Sequence, residues 1–451
     1  MGAILRDAAA RATRYLEQLE RRRVAPSPDA VNRLPELGGP LPDQPMDPEG
    51  VLAALDTIGS PATVASAGGR YFGFVIGGSL PAALAANWLA GAWDQNAGLW
   101  VSSPTSAALE EIAVRWLIDA LRLPEQSDGA LVTGTTMANF SALAAARHEI
   151  LARAGWDVEG DGLFGAPPIT VIVGEEVHVS VLKALSMLGL GRDRVVRIPT
   201  DAQGRMRPDA LPALTDRTII CAQAGNVNTG ALDPIGEICA VAHDASAWVH
   251  VDGAFGLWAA ASPALVHLVR GTEDADSWAV DAHKWLNTPY DGGAVFVRDA
   301  ADLTAAMSAS AAYLPQDGRR DPMRYTPEVS RRARGVEIWA ALRSLGRAGL
   351  ADLIDRTCRY ARRFADGLAR AGYPPLNEVV LNQVLISFGD DGTTRRVIEG
   401  IQADGTCWCG GTVWHGRAAM RISVSSWATT EQDIDRSLAA VLHIAAKTKP
   451  A

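Results

Sequence analysis

The sequence predicts an α/β protein with a mostly parallel seven-stranded sheet, a smaller C-terminal α/β domain and an N-terminal arm. From residue 129 onward, short β-branched apolar runs alternate with helical segments, as in a parallel sheet covered on both faces. A second series of helices and strands follows residue 330, and prolines crowd the first 48 residues. With 451 residues, 48% of them hydrophobic and 21% charged, the chain is long enough for two or three domains. We expect an arm over 1–65, a large domain over 66–330 and a small domain over 331–451.

The arm is expected to begin with an amphipathic helix over residues 3–23. The segment from there to Pro48 is rich in proline, cannot hold a helix and is expected to run as an extended arm. The stretch 71–93 carries no charge and is long enough to span a bilayer, but its Gly-Gly-Ser-Leu-Pro break and Asn87 favour a buried loop and helix. We therefore expect no membrane partner. Helices are predicted near 49–59, 81–93 and 105–122.

Seven apolar runs are the predicted strands of the large sheet. In such a sheet, ligands bind beyond the carboxyl ends of the strands, so residues that directly follow a strand are candidates for function. The region 310–330 has no strong periodicity and is expected to form a loop. The predicted strands are 130–132, 170–173, 194–197, 218–221, 247–251, 277–280 and 293–297, with helices over 137–154, 178–188, 208–214 and 234–244. For the small domain, the predictions are helices over 331–372 and 430–446, and strands near 378–388, 408–414 and 419–424.

Composition favours small-molecule chemistry. The 42 basic and 51 acidic residues give a net charge of −9, and no basic block is present, which argues against a nucleic-acid partner. Five cysteines are an odd number, which suggests free thiols in a reducing, cytoplasmic compartment. Cys407 and Cys409 lack the spacing of a zinc site and are expected to alternate along a strand.

The first strand runs into a turn that contains Gly134, Thr135 and Thr136. A glycine and two hydroxyls between a strand and a helix offer backbone N–H groups, side-chain donors and a helix dipole to an anion, most often a phosphate. The alternative is a simple threonine N-cap. His178 occupies a similar position after the second strand. It is either a helix cap or a ring that lies flat against an aromatic ligand.

Asp252 directly follows a buried strand, where a carboxylate is costly unless it meets a positive charge. A protonated pyridine nitrogen would be such a charge, and the small Ala254 would leave room for the ring. Lys284 lies in an apolar run, so it is ion-paired, has a lowered pKa or is used covalently, unless its ammonium simply reaches solvent. A phosphate turn, a stacking histidine, an aspartate and a lysine, each after a different strand, are together what pyridoxal 5′-phosphate (PLP) requires.

These residues lie in motifs through which the chain resembles the group II PLP-dependent amino-acid decarboxylases, over roughly 60–445. The resemblance implies a PLP-dependent fold type I homodimer, with the active site at the subunit interface and the N-terminal arm crossing to the partner. The motifs are Gly134-Thr135-Thr136-Met137-Ala138-Asn139, His178, His250-Val251-Asp252-Gly253-Ala254-Phe255-Gly256, Asp281-Ala282-His283-Lys284-Trp285 and Met420-Arg421-Ile422-Ser423-Val424-Ser425.

By the same resemblance, Lys284 forms a Schiff base with PLP, Asp252 pairs with the pyridine nitrogen, and His178 stacks on the ring. Ala254 backs the ring, and Thr135, Thr136 and His283 bind the phosphate. The implied reaction converts an L-amino acid to its amine and CO2. A loop tyrosine donates a proton in the family, and Tyr325 and Tyr313 are both candidates; we predict Tyr325 as catalytic together with Lys284, Asp252 and His178.

The aromatic, uncharged region around 71–100 favours an aromatic substrate, although such clusters are more often core. An acidic substrate would instead need arginines, for which the candidates are Arg324, Arg331, Arg332 and Arg421. Alternative reactions on the same cofactor are oxygen-dependent aldehyde synthesis, aldol cleavage and transamination, because the fold hosts them all. A non-catalytic PLP-binding protein is a further alternative.

Overall fold

The computed structural model describes residues 1–309 and 318–448. Its α-helices are α1 (Gly2–Gln18), α2 (Pro28–Asn32), α3 (Pro48–Ala54), α4 (Pro81–Trp93), α5 (Pro104–Ala120), α6 (Thr135–Arg153), α7 (Val158–Asp161), α8 (Val179–Met187), α9 (Ile235–Asp244), α10 (Ala300–Met307), α11 (Gly335–Arg370), α12 (Asp391–Asp404) and α13 (Glu431–Thr448). Its strands are β1 (Asp128–Val132), β2 (Thr170–Gly174), β3 (Val196–Ile198), β4 (Thr218–Gln223), β5 (Trp248–Asp252), β6 (Ser277–Asp281), β7 (Gly293–Val297), β8 (Gln383–Ile386), β9 (Gly410–Trp414) and β10 (Arg417–Ser423).

The chain divides into two compact units. The larger comprises 79–359 and 377–383, and the smaller comprises 1–78, 360–376 and 384–451. The predicted three-part division, with boundaries after residues 65 and 330, stays a prediction.

The larger unit contains the predicted seven-stranded sheet, in the order β1-β7-β6-β5-β4-β2-β3. Only β7 runs antiparallel to its neighbours, so the expectation of a mostly parallel sheet is confirmed. The β-branched and apolar residues of β1, β4, β5, β6 and β7 are buried throughout, as expected when helices cover both faces. Alanines on α6 pack closely on β1, β6 and β7, which brings the start of this helix to the sheet edge.

One predicted helix of this unit is wrong. The segment 208–214 forms only a short 3-10 turn over Pro208–Ala210. Pro212 explains the difference, because it lacks an N–H group and its ring collides with the preceding helical turn.

The smaller unit contains a three-stranded sheet in the order β8-β10-β9. The strands and the closing helix were predicted, whereas α12 was not. Its signals are present in the sequence: the Asp390 side chain accepts a hydrogen bond from the N–H of Thr393 at 2.8 Å, and Gly405 ends the helix with φ of +75°. A Cβ on Gly400 would lie 2.7 Å from Ile444, so the glycine lets α12 and α13 pack closely.

The proline-rich part of the arm is not wholly extended, which corrects the prediction. It contains α2 and a 3-10 helix over Leu34–Leu37, because Pro28 occupies the first helical position and Ser27 caps the helix through the N–H of Ala30. None of the helical residues of the arm up to Ala62 is buried within the chain. Among the described residues, no helix is both long and apolar enough to cross a membrane.

Candidate active site

The predicted functional residues cluster at one edge of the large sheet. β1, β2, β5 and β6 run in the same direction, so their carboxyl ends meet there. Thr135 follows β1, His178 follows β2, Asp252 ends β5, and Lys284 follows β6 within three residues. The N–H of Asp281 also donates to the carbonyl of Ala254 at 2.9 Å, which joins the ends of β5 and β6 directly.

Lys284 is held by the carboxylate of Asp281. Its Nζ lies 2.9 Å from Asp281 Oδ2, while the other oxygen accepts from the N–H of Thr135 at 2.7 Å and lies 3.5 Å from His283 Nε2. Burial alone would raise the pKa of Asp281, but the charges of Lys284 and His283 and the two donors lower it below its ordinary value. Asp281 therefore links the lysine to the predicted phosphate turn.

His283 is positioned by the loop that precedes β7. Its ring stacks on Tyr290 with a centroid distance of 4.2 Å, and Nδ1 accepts from the N–H of Gly292 at 3.2 Å. Burial lowers the pKa of His283, so the neutral ring is favoured. With Nδ1 accepting, the proton of the neutral ring lies on Nε2 and can be donated.

The start of α6 has the features of a phosphate site. Gly134, before the helix, provides no side-chain cap. The N–H of Thr135 is bonded to Asp281, but Thr135 Oγ1 is buried without a hydrogen-bond partner among the described residues. Thr136 lies beside it and is half-buried. A Cβ on Gly134 would lie 3.0 Å from the His283 ring, so glycine keeps the turn and this ring close together. Unpaired donors at a helix N-terminus suit an anion.

Asp252 lies in a polar setting although it is buried. Its Oδ1 accepts from the N–H of Ala254 at 3.2 Å, and its Oδ2 accepts from Asn139 Nδ2 at 3.1 Å and contacts Ser180 Oγ at 3.4 Å. Three donors stabilise a carboxylate, and its oxygens can accept one more. This setting fits a protonated ring nitrogen, with the half-buried Ala254 on the same turn.

His178 is both a helix cap and a neighbour of the aspartate. Its Nδ1 accepts from the N–H of Ser180 at 3.3 Å and lies 2.8 Å from Ser180 Oγ, which in turn contacts Asp252. The two alternatives considered for His178 are therefore compatible, because capping α8 through Nδ1 fixes the plane of the ring.

Within its own chain, Tyr325 is held by Arg320, and its catalytic role stays a prediction. The guanidinium of Arg320 lies 3.7 Å from the centre of the Tyr325 ring and also binds Asp128 Oδ2 at 2.8 Å. Asp128 begins β1, and Tyr325 also packs against the apolar cluster between β1 and α6. Tyr313, the other candidate, lies outside the described residues.

The candidate arginines are engaged elsewhere or lie outside this cluster. Arg331 is fully buried and binds Glu110 Oε2 at 2.7 Å, so it has a structural partner. Arg332 lies 3.1 Å from the carboxylate of Asp291. Arg421 belongs to β10 in the smaller unit, where burial lowers its pKa. Arg324 is exposed.

Four residues of this cluster have functions that the sequence did not reveal. Asp281, His250 and Asn139 lie within the sequence motifs, but the motifs indicate no role for them. Ser180 lies outside the motifs. Their hydrogen bonds to Asp252 and to one another join positions up to 113 residues apart. Only Asn139 could have been suspected, because it is four residues after Thr135 on one helix and so shares its face.

Together these groups match the parts of PLP: unpaired donors for its phosphate, a carboxylate for its ring nitrogen, and a lysine for its aldehyde. Lys284, Thr135, Thr136, His283, Asp252, His178 and Ala254 would hold it.

Comparisons with known proteins support PLP as the cofactor. Residues 42–387 match the model of the pyridoxal-dependent decarboxylase conserved domain. Tryptophan decarboxylase 1 of Oryza sativa subsp. japonica is 28% identical over 81% of this chain and 78% of its own length. L-2,4-diaminobutyrate decarboxylase of Rhizobium meliloti (strain 1021) is 30% identical over 92% of this chain and 84% of its own length. The crystal structure of Oryza sativa TDC with PLP and tryptamine has the same fold, with a TM-score of 0.90 and 24% identity over 99% of this chain and 97% of that one. The chain therefore belongs to the group II pyridoxal-dependent decarboxylase family and is a PLP-dependent amino-acid carboxy-lyase.

Proposed function

We propose that this enzyme decarboxylates an aromatic L-amino acid, with Lys284 carrying the cofactor, Asp252 paired with its ring nitrogen and His178 against its ring. The observation that carries these roles is the pair of acids at the sheet edge. Asp281 holds the lysine at 2.9 Å, and Asp252 lies buried among three donors with room for a fourth. PLP supplies the electron sink that accepts the electron pair left when CO2 departs.

The protein groups have distinct tasks in this scheme. Asp281 keeps the ammonium of Lys284 oriented, and the anionic Asp252 favours the protonated form of a ring nitrogen, which makes the ring a better acceptor. Thr135, Thr136 and His283 Nε2 donate hydrogen bonds to the phosphate, and the dipole of α6 adds to them. We assign the proton donor that follows CO2 loss to Tyr313, because the ring of Tyr325 is engaged by the guanidinium of Arg320.

The aromatic preference is supported by the relative from rice, a tryptophan decarboxylase, and by Tyr290, whose exposed ring stacks on His283. A second substrate class has support of its own. A cavity of about 830 Å³ that Tyr290 helps to line has mostly polar residues around it, and the relative from Rhizobium meliloti is an L-2,4-diaminobutyrate decarboxylase. This cavity would suit a hydrophilic side chain, and its polar lining comprises Asn87, Asp94, Gln95, Asn96, Ser330 and Arg332.

A substrate panel separates these possibilities. The PLP-loaded enzyme is assayed for CO2 and amine with L-tryptophan, L-tyrosine, L-phenylalanine, L-glutamate and L-2,4-diaminobutyrate. The proposal expects kcat/KM for an aromatic substrate to exceed the others by at least about 10-fold, since a pocket discriminates apolar groups by about 1–3 kcal/mol. A preference for the diamino acid would establish the second class. Oxygen uptake with peroxide release, or a keto-acid product, would reveal a different reaction on the same cofactor.

We propose a homodimer in the cytoplasm. Support for the dimer comes from large apolar side chains that the chain leaves exposed, on the arm and on α4. The five cysteines are buried and free of disulfides, which suits a reducing compartment. The exposed apolar residues include Leu5, Leu41, Met46 and Leu55 on the arm, and Trp88, Leu89 and Trp93 on α4.

A further inference from the structure

A continuous chain of buried hydrogen bonds ends on Asp252. Trp248 Nε1 lies 2.9 Å from Ser277 Oγ, which lies 3.0 Å from His250 Nδ1. His250 Nε2 lies 2.9 Å from Asn139 Oδ1, and Asn139 Nδ2 lies 3.1 Å from Asp252 Oδ2. All five side chains are at least nine-tenths buried, so water does not compete for these bonds.

The two ends of the chain determine its direction. An indole N–H can only donate, so Ser277 accepts from Trp248 and its own proton remains available for His250 Nδ1. An ionised carboxylate can only accept, so the NH2 group of Asn139 faces Asp252 and its carbonyl faces His250. The Asn139 carbonyl therefore accepts from His250 Nε2, and in a neutral ring Nδ1 is left to accept from Ser277 Oγ.

The surroundings of His250 keep the ring neutral. Burial lowers its pKa to about 4, which outweighs the opposing effects of Asp252 and of the Ser277 backbone. The titratable neighbour on the adjacent strand is Cys221, paired with His250 in register, and burial raises the pKa of this thiol so that it stays uncharged. A neutral imidazole has a single N–H, so His250 donates only at Nε2.

Asn139 also reaches the histidine predicted to stack on the cofactor. Its second N–H lies 3.2 Å from Ser180 Oγ, which is 2.8 Å from His178 Nδ1. Ser180 therefore accepts from Asn139, and its own proton is directed to His178 or Asp252. One amide thus touches both the acid and the residue that fixes the ring of His178.

We propose that Asn139 is a positioning residue, which the chain Trp248–Ser277–His250 orients so that its NH2 group holds Asp252 as an aligned acceptor for the cofactor's ring nitrogen. The proposal rests on the role of Asp252 proposed above, but the direction of the hydrogen bonds does not. Asn139 provides two donors at fixed positions, whereas an acid of the same shape would present an oxygen to Asp252. Two carboxylates at this distance would have to share a proton.

The direction of the chain is tested on the apoprotein. The protein is labelled with 15N-histidine, and the His250 signals are identified by their loss in His250→Gln. We expect a neutral ring with its proton on Nε2 at pH 7. A proton on Nδ1 in the wild-type protein would overturn the proposal, as would a charged ring.

The positioning role is tested on the PLP-loaded enzyme with Asn139→Asp. We expect kcat at pH 7 to fall by about 10–100-fold, the range seen when a supporting hydrogen bond behind a reactive group is removed, with KM within about 3-fold. The amount of covalent cofactor after borohydride reduction should be unchanged. Activity should recover partly at lower pH, where the introduced carboxyl group is protonated and can donate to Asp252. Ser141→Ala is the matched control, because Ser141 is equally buried on α6 but has no partner among the described residues.

Each result bears on one proposal. An Asn139→Asp enzyme with unchanged kcat and pH profile would overturn the positioning role. So would a fall in kcat that Ser141→Ala reproduces, since this would indicate general damage to α6. If Asn139→Asp does not fold, as judged by circular dichroism, Ser277→Ala replaces it, with the same criteria for kcat and the His250 proton. Normal turnover in Asp252→Asn would refute the proposed role of Asp252 and leave the NMR result standing.

Discussion

Lys284 and Asp252 have separable tasks, since one forms the covalent bond and the other sets the charge of the ring. We expect Lys284→Ala to retain no covalently bound cofactor after borohydride reduction and washing, because the remaining contacts with PLP are non-covalent. Lys183→Ala is the control, since this lysine is exposed on α8. Covalent cofactor that persists in Lys284→Ala would refute the assignment.

Asp252→Asn should retain cofactor and lose turnover. The amide has nearly the shape of the carboxylate but no charge, so it does not favour a protonated ring nitrogen. A fall in kcat of about 10²–10³-fold is expected, comparable to the loss of a preorganised electrostatic contact. The measurement compares kcat with cofactor content, and equal turnover per bound PLP would contradict the role.

Substitution of Tyr313 and of Tyr325 should affect turnover differently. Tyr313→Phe is expected to lower amine formation strongly and to raise oxygen uptake with aldehyde release, because the proposed proton donor is lost. Tyr325→Phe should leave turnover within about 3-fold, since its ring contacts Arg320 at the start of β1 and its hydroxyl has no assigned role. Amine, aldehyde and peroxide are quantified for both variants. The opposite pattern would return the role to Tyr325.

At the scale of elements, the buried pair of Arg331 and Glu110 joins α5 to the large sheet. Arg331 binds Glu110 Oε2 at 2.7 Å and also donates to the carbonyl of Leu131 on β1. Arg331→Met should destabilise the protein by about 3–5 kcal/mol, because the carboxylate stays buried without its partner. Replacing Glu110 with methionine as well should recover much of this loss. Urea midpoints are compared, and an unchanged midpoint in the single variant would contradict the structural role.

His250 on β5 should make the protein sensitive to acid. Its pKa is about 4 in the folded protein against an ordinary value of 6.5, so the unfolded chain binds one more proton between these values. Stability contributed by the neutral ring is complete above pH 6.5 and falls as the pH decreases toward 4, by about 3 kcal/mol in total. The slope of unfolding free energy against pH over this window should be smaller in His250→Gln. Identical slopes would show that His250 does not titrate in this way.

At the scale of the whole molecule, exposed apolar surface predicts association. Trp88 and Trp93 on α4 are 44% and 43% exposed, and the helices of the arm bury no residue within the chain. Replacing both tryptophans with serine should shift the protein from dimer toward monomer in sedimentation velocity. Phe164→Ser is the control, because Phe164 is 97% exposed but lies on neither element. A wild-type monomer would refute the dimer.

The sequence by itself determined the seven strands and the residues at their carboxyl ends. This was possible because local patterns decide where a strand ends, and parallel strands deliver their ends to one edge. Thr135, His178, Asp252 and Lys284 could be identified in this way, since each lies on a strand end or directly after one. The cofactor class followed from the combination.

Only the tertiary structure decided which side chains support these residues. Asn139 and His250 are 111 positions apart, and Arg331 and Glu110 are 221 apart, so no local pattern relates them. The same limit applies to Tyr325: its position along the chain did not reveal that Arg320 holds its ring. Hydrogen bonds and ion pairs form between groups that are close in space, and that closeness arises only when helices pack on the sheet.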